Sequence, residues 1–240
     1  MAIVKNKPPT TWKVFLYGVP GVGKSRMAAA AEGATFIDLE EGTKRLGDIR
    51  KIDQPINSSE DLKEAMRECW ADEETKTVVL DSSTALNKLF EKEVLKEMKI
   101  PSLLHNYGSG YGPMKKKWND LLEVCNSLMA KKNIIMIGHN ETKTEHDAIL
   151  GADVKKDFPY IQKQAMGEVI ADFDGVFFYN FEKLLDEKKN IAKATSRRVL
   201  ITKGGDDLFK AKSRFNDLEA KVYFNDGDQE ALNNFWKELK

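Results

Sequence analysis

The chain has 240 residues, 41% apolar and 32% charged, with 38 Lys plus Arg against 38 Asp plus Glu; that length carries one well-buried α/β core and is short for two independent domains. Zero net charge excludes a global electrostatic hold on a polyanion, so any nucleic acid would need a local basic patch. Cys69 and Cys125 make no CxxC pair, the three histidines show no metal-ligand spacing, and neither a signal-like run nor an eighteen-residue apolar stretch occurs, so the expectation is a cytoplasmic protein without disulfides, zinc or a membrane span.

Residues 1–11 read as a short polar arm, and residues 12–240 as one domain. Residues 12–18 (WKVFLYG) are an apolar run ending in glycine, a buried strand, and helix formers follow over 24–31. Residues 35–39 (TFIDL) give a second strand. Ser58 and Asp61 have capping-box spacing ahead of Leu62, Ala65, Met66, Cys69 and Trp70, which share one helical face. Residues 77–81 (TVVLD) are a β-branched third strand, and 84–98 a helix. Glycine, proline and serine make 101–113 a loop, after which Trp118, Leu121, Leu122, Cys125, Leu128 and Met129 form another helical stripe. Residues 133–138 (NIIMIG) are the fourth strand. The polar stretch 140–158 reads as a long loop, 160–171 as a helix, 175–181 as a strand and 186–194 as a charged turn. Residues 198–203 form an antiparallel partner, 221–224 an edge strand and 229–239 a terminal helix. Strands alternating with helices predict an α/β fold: a mostly parallel sheet covered on both faces, with an antiparallel C-terminal extension.

The segment Gly18-Val19-Pro20-Gly21-Val22-Gly23-Lys24-Ser25 matches G-x-x-x-x-G-K-[ST]. Its glycines let backbone N–H groups curl around phosphate oxygens without Cβ clashes, and the following helix start favours negative charge. With Arg26 added, this is the predicted nucleotide-binding set; Lys24 reaches the β- and γ-phosphates and Ser25 ligates Mg²⁺. Asp81, ending an apolar strand, is the second metal candidate. No NKxD-type guanine-reading motif is present, so ATP is the expected nucleotide.

Three further segments line up in order: Phe36-Ile-Asp-Leu-Glu40, Val78-Val-Leu-Asp-Ser-Ser-Thr-Ala-Leu86 and Ile134-Ile-Met-Ile-Gly-His139. Over residues 12–215 this succession resembles the RecA-like ATPase core. With Tyr111-Gly-Pro-Met-Lys-Lys-Lys-Trp118 and Lys212-Ser-Arg-Phe215 it is most similar to phage RecA/RadA-like single-strand annealing (Sak-type) and phage nucleotide-binding proteins. The resemblance implies that Glu40, or its neighbour Glu41, polarises the attacking water and that His139 senses the γ-phosphate. It further implies that Lys212 or Arg214, in a basic cluster with Lys210 after the Lys203-Gly-Gly205 turn, reaches a neighbouring subunit's ATP. A ring or filament with ATP at its interfaces follows, nearly inactive as a monomer.

The resemblance also makes residues 105–117 a single-stranded-DNA loop, with Tyr107 and Tyr111 for stacking and Lys115, Lys116 and Lys117 for phosphates. It adds 140–158 as a second such loop, although five acids there oppose DNA and favour a lid or subunit contact. Because this chain shows no large N-terminal oligomerisation arm and no separate C-terminal domain, a minimal annealing core or ring is expected rather than strand exchange by an extended filament. The implied function is an ATPase acting on single-stranded DNA in phage-type recombination or replication. A nucleotide-dependent switch without turnover is the alternative. A P-loop small-molecule kinase is disfavoured because residues 101–160 hold no arginine for a lid.

Overall fold

The computed structural model describes residues 9–147, 151–186, 191–204 and 209–239. At its centre lies β1 (Lys13–Gly18), buried along its whole length. Its side chains alternate, as strand geometry requires: Val14 and Leu16 face one apolar cluster, Phe15 and Tyr17 the other. A strand apolar on both faces must be covered on both, and here it is.

The remaining strands are β2 (Ala34–Asp38), β3 (Arg50–Lys51), β4 (Thr77–Asp81), β5 (Asn133–Asp147), β6 (Ala152–Pro159), β7 (Gly175–Asp186), β8 (Ile191–Ile201), β9 (Lys212–Ser213) and β10 (Lys221–Phe224). The path through the sheet is β10-β8-β7-β1-β5-β4-β2-β3, with β6 on β5 and β9 on β7. From β3 to β7 every pairing along that path is parallel; β8, β10, β6 and β9 are antiparallel additions. This is the expected α/β architecture.

The helices are α1 (Lys24–Ala29), α2 (Ser59–Ala71), α3 (Ser83–Met98), the single turn α4 (His105–Gly108), α5 (Tyr111–Leu128), α6 (Lys163–Asp172) and α7 (Gln229–Glu238). Ser58 caps α2 by accepting from the Asp61 N–H at 3.1 Å, and Leu62, Ala65, Met66 and Cys69 are its buried stripe. Trp118, Leu121, Leu122, Cys125 and Leu128 are that of α5. Both cysteines are free and buried, and burial pushes their thiols up to about 12, so they serve as core packing. On the other face α7 packs Phe235 and Trp236, with the Trp236 indole N–H on the Met27 carbonyl at 2.7 Å. Among the described residues no helix is long and apolar enough to cross a membrane.

Three expectations need correction. Residues 140–147 and 152–158 are not loop but the two arms of an antiparallel β-ribbon, in which β5 runs on past the sheet and pairs with β6 from Asn140↔Pro159 to Asp147↔Ala152, with residues 148–150 outside the described residues. The β5 arm, residues 140–147, is polar on both faces and carries no apolar alternation; in β6 only Ala152, Val154 and Phe158 share a face, with Lys156 between them. The loop at 101–113 ends early: α5 begins at Tyr111, and α4 is a tight turn with Asn106 and Tyr107 at φ 46 and 59. The charged turn at 186–194 shrinks, because Asp186 still belongs to β7 and Ile191 already to β8. Residues 187–190, most of the N-terminal arm and Gly205 of the expected glycine turn lie outside the described residues.

Candidate active site

Strand register brings the site together. Gly18 lies opposite His139 on one side and Tyr179 on the other, Asp81 opposite Ile137, and Asp38 opposite Asp81. The C-terminal ends of β1, β2 and β4, level with His139 in β5 and Tyr179 in β7, therefore place these residues along one edge of the parallel sheet, which is where open α/β sheets bind ligands.

The phosphate loop leaves β1 at Gly18, where a Cβ would stand 1.9 Å from the Tyr179 carbonyl oxygen, so only glycine fits. Gly23 precedes α1 at φ 100, a conformation that side chains resist. Lys24 is buried, and its Nζ donates to the Gly18 and Val19 carbonyls at 2.9 Å each. Burial lowers its pKa to about 8, against the pull of Asp81 and Glu40. Arg26 is exposed.

Ser25 Oγ donates to Asp81 Oδ2 at 2.7 Å. Burial pushes the Asp81 carboxyl up to about 6; Asp38 and Glu40 add repulsion, while the Ser25 hydrogen bond and Lys24 oppose it. A hydroxyl beside a desolvated carboxylate is an oxygen pair that fits Mg²⁺, which takes one or two protein ligands and keeps several waters.

Glu40 and Glu41 separate cleanly. Burial pushes the Asp38 carboxyl up, but hydrogen bonds from the Thr43 hydroxyl and the Thr43, Glu40 and Gly42 N–H groups outweigh it and hold it below the usual range. The resulting turn puts Glu41 at φ 55, exposed and paired with Lys44. Glu40 points the other way: it accepts from Ser82 Oγ at 2.5 Å, and its Oε2 lies 3.6 Å from His139 Nε2. His139 donates its backbone N–H to Thr84 Oγ1, while its Nδ1 is buried without a partner among the described residues. Lys24, Ser25, Glu40, Asp81 and His139 thus converge.

Lys212 and Arg214 do not join them. Lys212 pairs with Val176 and Ser213 with Gly175, and Gly175 lies opposite Val14, towards the end of β1 away from Gly18. There Lys212 Nζ donates to the Ile170 and Ala171 carbonyls at 2.6 and 2.9 Å. Arg214 donates to the Ala171 carbonyl and to Asp174. Both satisfy the open carbonyl end of α6. Burial, and secondarily Arg214, lower the Lys212 pKa. Lys210 lies over the Phe158 ring.

The proposed DNA loops are also placed. Tyr107 is fully exposed and Tyr111 half-buried. Lys115 pairs with Glu168, Lys116 with Asp120, and Lys117 with Glu93 and Glu97. In the ribbon, Lys143 pairs with Glu141 and Lys156 with Asp147.

The sequence reading missed Asp38, Ser82 and Arg198. Asp38 had a faint signal, an aspartate ahead of Gly42 and Thr43 in a turn. Arg198 had none: its Nε donates to the Val22 carbonyl at 2.7 Å, from 176 residues away.

The AAA domain family model matches residues 10–215. No curated protein sequence matches the chain. Among solved structures, a KaiC-like protein from the hyperthermophilic archaeon Pyrococcus horikoshii superposes with a TM-score of 0.51. That match covers 92% of this chain and 87% of the other at 16% identity, a likeness of fold.

Proposed function

The chain belongs to the AAA domain family, and on that premise we propose that it binds Mg²⁺–ATP on residues 18–26 and hydrolyses it with Glu40. The observation that carries this is the position of Glu40, fixed by Ser82 and facing His139, on the same strand ends as the Ser25–Asp81 pair. Lys24 and the backbone N–H groups of the glycine loop hold the phosphates. Bound Mg²⁺ supplies positive charge that withdraws electrons from the phosphate being cleaved. Glu40 orients a water and takes its proton at a carboxylate oxygen. The Nε2 of His139, on the side that faces Glu40, donates to the terminal phosphate.

Lys212 and Arg214 act on a neighbouring copy. Being anchored towards the opposite end of β1, they have no route to the phosphates of their own chain, so a head-to-tail assembly is what would use them. Residues 12–240 work as one domain, since a single sheet carries both apolar clusters.

Single-stranded DNA is the proposed ligand of the assembly, in a cytoplasmic, phage-type recombination role. The motifs at Tyr111-Gly-Pro and Lys212-Ser-Arg-Phe215 and the exposed ring of Tyr107 support it. The ion pairs at Lys115, Lys116 and Lys117 weigh against it, because DNA phosphates would have to displace carboxylates. Phosphate release with and without single-stranded DNA, at low salt and over a range of protein concentrations, is the test. DNA stimulation that Tyr107→Ala reduces supports the full reading. Hydrolysis indifferent to DNA removes the DNA part and keeps the ATPase; binding without turnover leaves a switch.

A further inference from the structure

Arg198 sits in β8, opposite Phe181 of β7 and Phe224 of β10, with only 17% of its side chain exposed. Its guanidinium makes two short bonds in different directions. Nε donates to the Val22 carbonyl inside the phosphate loop at 2.7 Å, and Nη1 donates to Asp226 Oδ1 in the β10–α7 turn at 2.7 Å. The planar group also lies over the Phe181 ring, 5.7 Å from its centroid. It is close enough to the loop that a Cβ on Gly23 would come within 3.7 Å of its Nε.

We propose that Arg198 is a positioning residue of the phosphate loop, holding the Val22–Gly23 peptide in the orientation that nucleotide phosphates need. The inference rests on the reading of residues 18–26 as the ATP site. The carbonyl of Val22 and the N–H of Gly23 belong to one planar trans peptide, so they point in opposite directions. Fixing the carbonyl on Arg198 turns the Gly23 N–H to the other side of the loop, away from the guanidinium, where a phosphate oxygen can accept it.

A loop with Gly21 and Gly23 in left-handed conformations has much backbone freedom to lose on binding. A tether at its middle removes part of that freedom beforehand, which is preorganisation. Directional bonding matters more than charge here, because Asp226 already offsets the guanidinium. Lysine cannot reproduce the effect: one ammonium on a flexible stem does not present the rigid fork that serves Val22, Asp226 and a ring face together.

The test is calorimetric titration of ADP and of ATP, each with Mg²⁺, into wild type, Arg198→Ala, Arg198→Lys and Arg197→Ala, with melting of each nucleotide-free protein recorded separately. Arg197 pairs with Glu182 and lies over Tyr223, clear of the loop. The expected result is Kd values for both nucleotides raised about tenfold in Arg198→Ala, about 1.4 kcal/mol. Arg198→Lys should be several-fold weaker than wild type, and Arg197→Ala unchanged. A purely structural arginine would lower the melting temperature and leave Kd alone.

If Arg198→Ala does not fold, Arg198→Lys decides. Wild-type Kd values in whichever variant folds overturn the proposal. A wild-type protein that binds neither nucleotide overturns instead the ATP-site reading beneath it.

Discussion

Ser25 Oγ and Asp81 Oδ2 lie 2.7 Å apart, joining the first turn of α1, which follows β1, to the last residue of β4, one strand beyond β1's neighbour β5. That contact keeps a carboxylate in a place where burial and two neighbouring acids oppose its charge.

Asp81 therefore makes the ligand-free protein less stable at neutral pH. Its folded pKa, about 6, stands above the ordinary 3.8. Between those values the folded state holds more protons than the unfolded state, so this group's contribution falls as pH rises from 4 to 6 and is flat beyond. Asp81→Asn should raise stability at pH 7 by up to about 3 kcal/mol and abolish Mg²⁺-dependent turnover. Urea unfolding of both proteins across pH 4 to 7, without metal or nucleotide, checks it; parallel pH curves would contradict the assignment.

Lys24 predicts the pH dependence of nucleotide affinity. Its free-state pKa of about 8 means the ammonium is present at pH 7 and lost above 8. ATP affinity should be level up to pH 8 and then fall, by at most about tenfold per unit. Lys24→Met should bind weakly at every pH with no break at 8. Titrations between pH 6.5 and 9.5 read this directly.

The two adjacent glutamates should behave oppositely. Glu40→Gln should keep ATP binding and lose turnover by about 10²-fold or more, the scale of a general base. Glu41→Gln, at an exposed position paired with Lys44, should retain it. Equal losses in the two variants would show that the turn built by Asp38 does not select between them.

Sharing of the site predicts complementation. Turnover per chain should rise with protein concentration, and Arg214→Ala should depress it. Mixing Arg214→Ala with Glu40→Gln should give more activity than either alone, since some interfaces then pair an intact Glu40 with an intact Arg214. Because Arg214 also bonds the end of α6, the variant's melting curve must be taken too. No recovery on mixing, in folded proteins that exchange subunits, would leave Arg214 with its structural role only.

By itself the sequence determined what is local or periodic. Residues 18–25 were legible because a phosphate cradle needs a contiguous pattern of glycines, lysine and serine. The strands at 13–18 and 77–81 were legible as short apolar or β-branched runs, because a strand covered on both faces is apolar throughout, and the faces of α2 and α5 because burial of one side imposes a period of 3.6. The ribbon of β5 and β6 was not, since its β5 arm is polar on both faces and the apolar residues of β6 are too few to stand out. Tertiary structure alone decided the pairings. It turned Glu40 inward and Glu41 outward through four hydrogen bonds to Asp38, and set Lys115–Lys117 against carboxylates on α3, α5 and α6. It also laid Arg198 on Val22, contacts that no local pattern encodes because they form only when distant segments meet.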